Sequence, residues 1–203
     1  MTEVRSNPPK PIDTPENMHR GIALVLLPGY GPKEFNGDQP YAKGLIDSSH
    51  VDRGTVVQTV LAWLNKSGLD VKRQASAFRL VVWPEKWVES NLRGPQMVSA
   101  LVEQSSAFVK EMNETQPALL VLVSCYLHDA LLNPEVVKAL KPALGKPLMP
   151  PTRLCSTRLR AQVQRWEKAL VVSLPIPSQR TTSAFSEALA LGLKPWLNQN
   201  ERK

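Results

Sequence analysis

Four continuous apolar runs of strand length punctuate the chain: IALVLLP (22–28), FRLVVWP (78–84), ALLVLVS (118–124) and ALVVSLP (169–175). Unbroken apolarity, as opposed to alternation, marks strands that are covered on both faces. Three of the runs end in proline, which has no N–H to donate to a central ladder and so marks the exit from a sheet. Between the runs the apolar spacing becomes helical. TVVQTVLAWLNKSG (55–68) puts Val56, Val60 and Leu64 on one face and closes with Gly68 as a C-cap. PQMVSALVEQSSAFVKEMNE (95–114) opens on a proline and repeats apolar groups at Met97, Ala100, Leu101, Phe108 and Met112. NPEVVKALKPAL (133–144) has Asn133 as N-cap and Pro134 at the first helical position. RLRAQVQRWEKA (158–169) and TSAFSEALALG (182–192) are the remaining predicted helices, the last capped by Gly192.

Strands alternating with helices of this length predict an α/β fold: three αβα layers around a central four-stranded, mainly parallel sheet. Right-handed crossovers bring the four strand C-termini to one edge, outside which open α/β sheets bind ligands. Function is therefore sought in the segments 28–44, 83–94, 124–130 and 174–182.

Composition refines this. A chain of 203 residues with 42% hydrophobic residues can bury one good core. Several of its 18 prolines crowd into NPPKPIDTP, so residues 1–18 read as a flexible Pro-rich tail, 19–198 as one domain and 199–203 as a second short tail. No apolar run approaches the roughly 20 residues that cross a bilayer, and no signal-peptide core opens the chain, which predicts an intracellular, cytoplasmic protein without membrane contact. Cys125 and Cys155 match no metal or redox spacing and read as buried reduced thiols. No cofactor fingerprint and no metal site are expected. The formal charge is +7, and from Lys138 to Lys168 eight Lys or Arg residues stand against one acid, Glu167. Such a stretch suits either a solvated helical face or neutralisation of phosphates.

Each strand-end segment carries candidate chemistry. PGYGPKEFNGDQPYAKG turns tightly and fits neither a Walker loop nor a dinucleotide fingerprint. It offers Tyr30, Phe35 and Tyr41 as stacking faces, and Asn36 and Asp38 to orient a water, unless Asn-Gly-Asp is a plain turn. WPEKWVESN interleaves Trp83 and Trp87 with cations, which suits base stacking or core packing equally. SCYLHDALL places Ser124 at a strand tip and His128 beside Asp129, a proximity that rarely makes a triad. In VVSLPIPSQR, Pro175 and Pro177 stiffen the exit, Ser178, Gln179 and Arg180 add polar groups and charge, and Thr181 to Ser183 start a helix whose free N–H groups suit a phosphate.

On these segments the chain resembles the uracil-DNA glycosylase superfamily. LPIPSQRTTSAFSEALALGLKPW (174–196) resembles the family's minor-groove loop and its following helix, and DRGTVVQTVLAWLNKSGL (52–69) resembles the helix after the first motif in the mismatch-specific branch. LVLLPGYGP (24–32) resembles the start of that motif, and GDQPY (37–41) is a permuted echo of the Gly-Gln-Asp-Pro-Tyr form found in another branch. The resemblance implies a DNA-binding protein that recognises a flipped or single-stranded base. Tyr41, Ser124, Pro175, Pro177, Ser178, Gln179, Arg180, Thr181, Arg158 and Arg160 would meet DNA, Tyr30, Phe35 and Trp83 would stack on the base, and Asn36 and Asp38 are the catalytic candidates. It also implies a degenerate active site. The histidine that precedes Pro-Ser in the family, and stabilises charge on the departing base, is replaced by Ile176 or Leu174. Two other readings stand beside this one: a non-catalytic replication or repair subunit, similar to clamp-loader psi subunits, that tethers a protein partner through its tail, and a flavodoxin-like nucleotide-binding domain, against which the missing phosphate loop counts.

Overall fold

All four apolar runs are strands of one sheet. The computed structural model describes residues 21–27, 56–72, 78–84, 92–156, 158–178 and 180–197. Among them are β1 (Ile22–Leu26), β2 (Phe78–Val82), β3 (Leu119–Val123), β4 (Thr152–Arg153), β5 (Gln162–Arg165) and β6 (Leu170–Leu174), hydrogen-bonded in the order β2-β1-β3-β6-β5-β4. The parallel strands are level: Leu26 pairs with both Val82 and Val123, and Val123 with Leu174. Their C-terminal ends thus lie side by side along one edge, as the crossover rule requires.

The expected four-stranded sheet needs correcting, because six strands make a mixed sheet. β5 runs antiparallel to β6, and β4 antiparallel to β5. The segment 158–169, expected as a helix, holds β5 instead. Its period-2 alternation, with Leu159, Ala161 and Val163 set between Arg158, Arg160, Gln162 and Gln164, is the strand signal; Val163 points to one core while Gln162 and Gln164, 9% and 3% exposed, lie on the other side. Arginine and glutamine are good helix formers, so residue propensity favours a helix where the alternation favours a strand, and burial of the strand on both faces decides.

Helices cover both faces: α1 (Val56–Lys66), α2 (Pro95–Glu103), α3 (Ser106–Thr115), α4 (Cys125–Leu131), α5 (Pro134–Leu144) and α6 (Ser183–Leu197). Val60 and Leu64 of α1 and Phe185, Leu189 and Leu193 of α6 pack on Leu24, Val121 and Val172. On the opposite face Leu101, Phe108, Met112, Leu127 and Leu140, from α2 through α5, pack on Val25, Leu122 and Val171. Successive strand residues feed alternate cores, which is why the runs are unbroken. No described helix is long and apolar enough to cross a membrane.

Local sequence explains several helix ends. Gly68, at φ 98°, lets the chain leave α1 in the left-handed region, and the bonds Leu69 N to Leu64 O (3.1 Å) and Gly68 N to Asn65 O (3.0 Å) close a Schellman motif. Asn133 caps α5 by accepting from the Glu135 amide at 3.0 Å. Two expectations are corrected. The helix over 95–114 is two helices, broken at the polar run Gln104-Ser105, which carries no apolar group to hold it on the sheet. Gly192 does not cap the last helix but lies inside α6, where it lets the helix approach the backbone of Leu154.

Candidate functional site

The edge at the end of β6 is built by prolines. After Leu174 the chain passes through Pro175, Ile176 and Pro177, all half-buried, and Ile176 touches both cores. Pre-set proline backbone angles make this exit stiff. A turn follows in which Thr181 N donates to Ser178 O (2.9 Å), Ser178 N to Thr181 Oγ1 (3.0 Å) and Arg180 N to Ser178 Oγ (3.3 Å). The hydroxyls of Ser178 and Thr181, expected on a ligand, are therefore engaged in holding the turn. Arg180 is exposed at its tip. Thr182 caps α6, its Oγ1 accepting from the Phe185 amide at 3.3 Å.

Because β5 is antiparallel to β6, the loop from β4 to β5 returns to this same edge. Its base is closed by Leu154 N donating to Ala161 O at 3.0 Å. Arg158 and Leu159 from that loop face Arg180, Thr182 and Phe185 across a cleft of about 550 Å³. Among the described residues neither Arg158 nor Arg180 has an acidic partner. Two unneutralised guanidiniums on one cleft concentrate positive potential where each has five donors to offer an anion. A phosphate or carboxylate is the chemistry that this lining fits.

Other expected site residues are used differently. Arg160 turns away from the cleft and holds Asp129 of α4 with two parallel bonds, 2.6 and 2.8 Å. Trp83 is fully buried: its Nε1 donates to Leu101 O at 2.9 Å and its ring stacks on Phe108 with centroids 4.1 Å apart. That corrects the expectation of a base-stacking face, since both the ring and its donor are already engaged inside. Ser124 is buried too, and its hydroxyl accepts from the Tyr126 amide at 3.2 Å as the cap of α4. Ser124, His128 and Asp129 thus have three separate partners and form no triad. Neither Cys125 nor Cys155 is in a disulfide, and the first is half-buried and the second buried; burial pushes Cys125 above its ordinary pKa, away from thiolate reactivity. Tyr30, Phe35, Asn36, Asp38, Tyr41 and Gln179 lie outside the described residues, as do the N-terminal tail and residues 198–203.

The tertiary structure gives His128 a buried setting and a partner that its place beside Asp129 in the sequence did not indicate. His128, 1% exposed, sits beneath β5, with Gln162 Nε2 at 2.7 Å from its Nδ1. An amide nitrogen only donates, so Nδ1 accepts and the neutral ring carries its proton on Nε2, which has no partner among the described residues. Burial, helped by the Arg160 charge, pushes its pKa down to about 4, against the smaller upward pull of Asp129 and Gln164. Ser173, cross-strand partner of Gln162, is also buried with its hydroxyl unpaired among the described residues. No group of three or more His, Cys, Asp or Glu among the described residues is placed to hold a metal. Leu159 and Phe185 also line the cleft, apolar residues that carry no mark of it in the sequence, while Thr182 lies at the expected phosphate-suited helix start. Comparison of the chain with protein-family models, curated proteins and solved structures gave no match.

Proposed function

We propose that this chain binds nucleic acid by its phosphate backbone, at the sheet edge where β6 ends. The observation that carries the reading is the convergence of Arg158 and Arg180, from two separate segments, on one cleft without acidic partners among the described residues. The chain's net charge of +7 favours the same partner. A uracil-DNA glycosylase-like arrangement is the fold family the reading fits, with four level parallel strands and a proline-stiffened loop after the last.

The reading is one of binding without base excision. Leu174 is fully buried and Ile176 packs into both cores, so neither position where the family places its histidine offers charge to a departing base. His128 does not take over that role, because it is buried beneath β5 with its acceptor nitrogen on Gln162.

Fluorescence anisotropy on labelled single-stranded and duplex oligonucleotides, titrated across salt, tests the reading. Each phosphate neutralised contributes about 0.7 to the log–log salt slope on single strands and about 0.9 on duplex. Arg158→Ala with Arg180→Ala is expected to flatten the slope by about 1.4 and about 1.8 respectively and to weaken binding at least tenfold, with an unchanged melting temperature. Salt-independent binding, or none, overturns the reading. The further expectation is that uracil-, hypoxanthine- and mismatch-containing oligonucleotides emerge without abasic sites.

A further inference from the structure

The loop that carries Arg158 is gripped from the far side of the sheet. Its first residues, Leu154 and Cys155, are buried in the core under α1 and α6, and Leu159 packs against that core. Its last residues are held from the opposite face by α4. Arg160 makes two bonds to Asp129, at 2.6 and 2.8 Å, and Gln162 Nε2 lies 2.7 Å from Nδ1 of the neighbouring His128. Consecutive residues of one helix thus hold alternate residues at the start of β5. The helix is itself anchored by Leu127, Ala130 and Leu131 in the core. Two positions separate Arg158 from Arg160, yet the first lines the cleft beside α6 and the second reaches α4.

We infer that this α4–β5 clasp is a positioning device for the cleft: Asp129 and Arg160 set where Arg158 stands, and govern anion affinity without touching the anion. The functional half of the inference rests on the phosphate-binding reading of the cleft. A two-point guanidinium–carboxylate pair fixes orientation as well as distance. A loop already held in its binding geometry loses less conformational freedom when a ligand arrives. Arg160 is a poor direct contact, because the donors it turns to Asp129 and most of its charge are already matched.

The sign of one substitution separates positioning from charge. Asp129→Asn removes a negative charge and releases Arg160, so simple electrostatics makes nucleic-acid binding tighter and its salt slope steeper. The clasp requires the opposite: about threefold to tenfold weaker binding of a labelled single-stranded oligonucleotide. Arg160→Lys keeps the charge and loses the fork, and is expected to weaken binding similarly. The exchanged pair Asp129→Arg with Arg160→Asp, of unchanged net charge, should recover part of the loss. Amide hydrogen exchange over 155–161 gives a readout independent of any ligand, and is expected to quicken in Asp129→Asn while the sheet stays protected. Tighter or unchanged binding by both single variants overturns the inference. If the wild type binds no nucleic acid, the phosphate reading fails by itself, and the exchange measurement decides the clasp: faster exchange upholds it, unchanged exchange overturns it. Should Asp129→Asn fail to fold, Arg160→Lys carries the same comparison.

Discussion

Lowering the pH from 6.5 to 4 is expected to remove about 3 kcal/mol of folding stability through His128 alone, and His128→Gln to abolish that part of the pH dependence. The ring is buried in its neutral form, so burial pushes its pKa from 6.5 in the unfolded chain to about 4 in the fold. A group depressed in this way leaves stability intact above pH 6.5. Below it the unfolded chain takes up the proton first, and stability declines until the folded ring also titrates near 4. Each unit of that interval is worth about 1.4 kcal/mol. Protonation also turns Nδ1 from acceptor to donor, facing the Gln162 amide 2.7 Å away. Glutamine at position 128 keeps an acceptor and has no proton to gain. Urea unfolding of both proteins at intervals from pH 7 to 4 is the check. Other groups titrate alike in the two, so the difference in slope isolates His128, and parallel slopes would show that the ring is free to charge in the fold.

Gly192→Ala is expected to destabilise the protein by about 2 kcal/mol, opposite in sign to what helix propensity gives. In the middle of an exposed helix this change gains roughly 1 kcal/mol. Here the new methyl would meet the carbonyl oxygen of Leu154 head on, and would lie 2.9 Å from its carbonyl carbon and 3.2 Å from its Cα. Those atoms belong to backbone, so no rotamer change relieves the contact. Leu154 is itself buried and tied through its amide to Ala161 at 3.0 Å. Either α6 or the β4–β5 loop must move, at an overpacking cost of roughly 3 kcal/mol that exceeds the propensity gain. Thermal denaturation followed by circular dichroism should register a clear drop in midpoint. A rise would mean that α6 stands further from the loop than the structure has it. Because that loop also carries Arg158, the variant is expected to lose cleft geometry together with stability.

How much was legible depended on whether the deciding contact lay near in sequence. Asn133 with Pro134, and Gly68 after Lys66, act within one helical turn, and both ends fall where the residues predict them. β5 was written as an alternation over 158–164 but masked by helix-favouring Arg and Gln; what could not be read is that Gln162 and Gln164 lie inside, their polarity matched by His128, by the Met149 carbonyl at 2.9 Å and by Trp166 at 3.1 Å. Nothing in RLRAQVQRWEKA says that such partners will be present. Trp83 beside cations read equally as a stacking face or a core residue, and only the position of Phe108 and the Leu101 carbonyl separates the two. Arg158 and Arg160 were indistinguishable as members of one basic stretch. The structure sends one to a cleft and the other to Asp129.

By itself the sequence determined the four parallel strands, the helices α1, α5 and α6 and the edge at which the strand ends meet. Those follow from burial of apolar runs on two faces and from the handedness of crossovers, which every residue in a run reports. Only the tertiary structure decided the antiparallel extension of the sheet, the buried histidine and which arginines share a cleft. Each of these turns on a single partner brought from a distant part of the chain, and a lone polar or charged residue carries no mark of the partner it will meet.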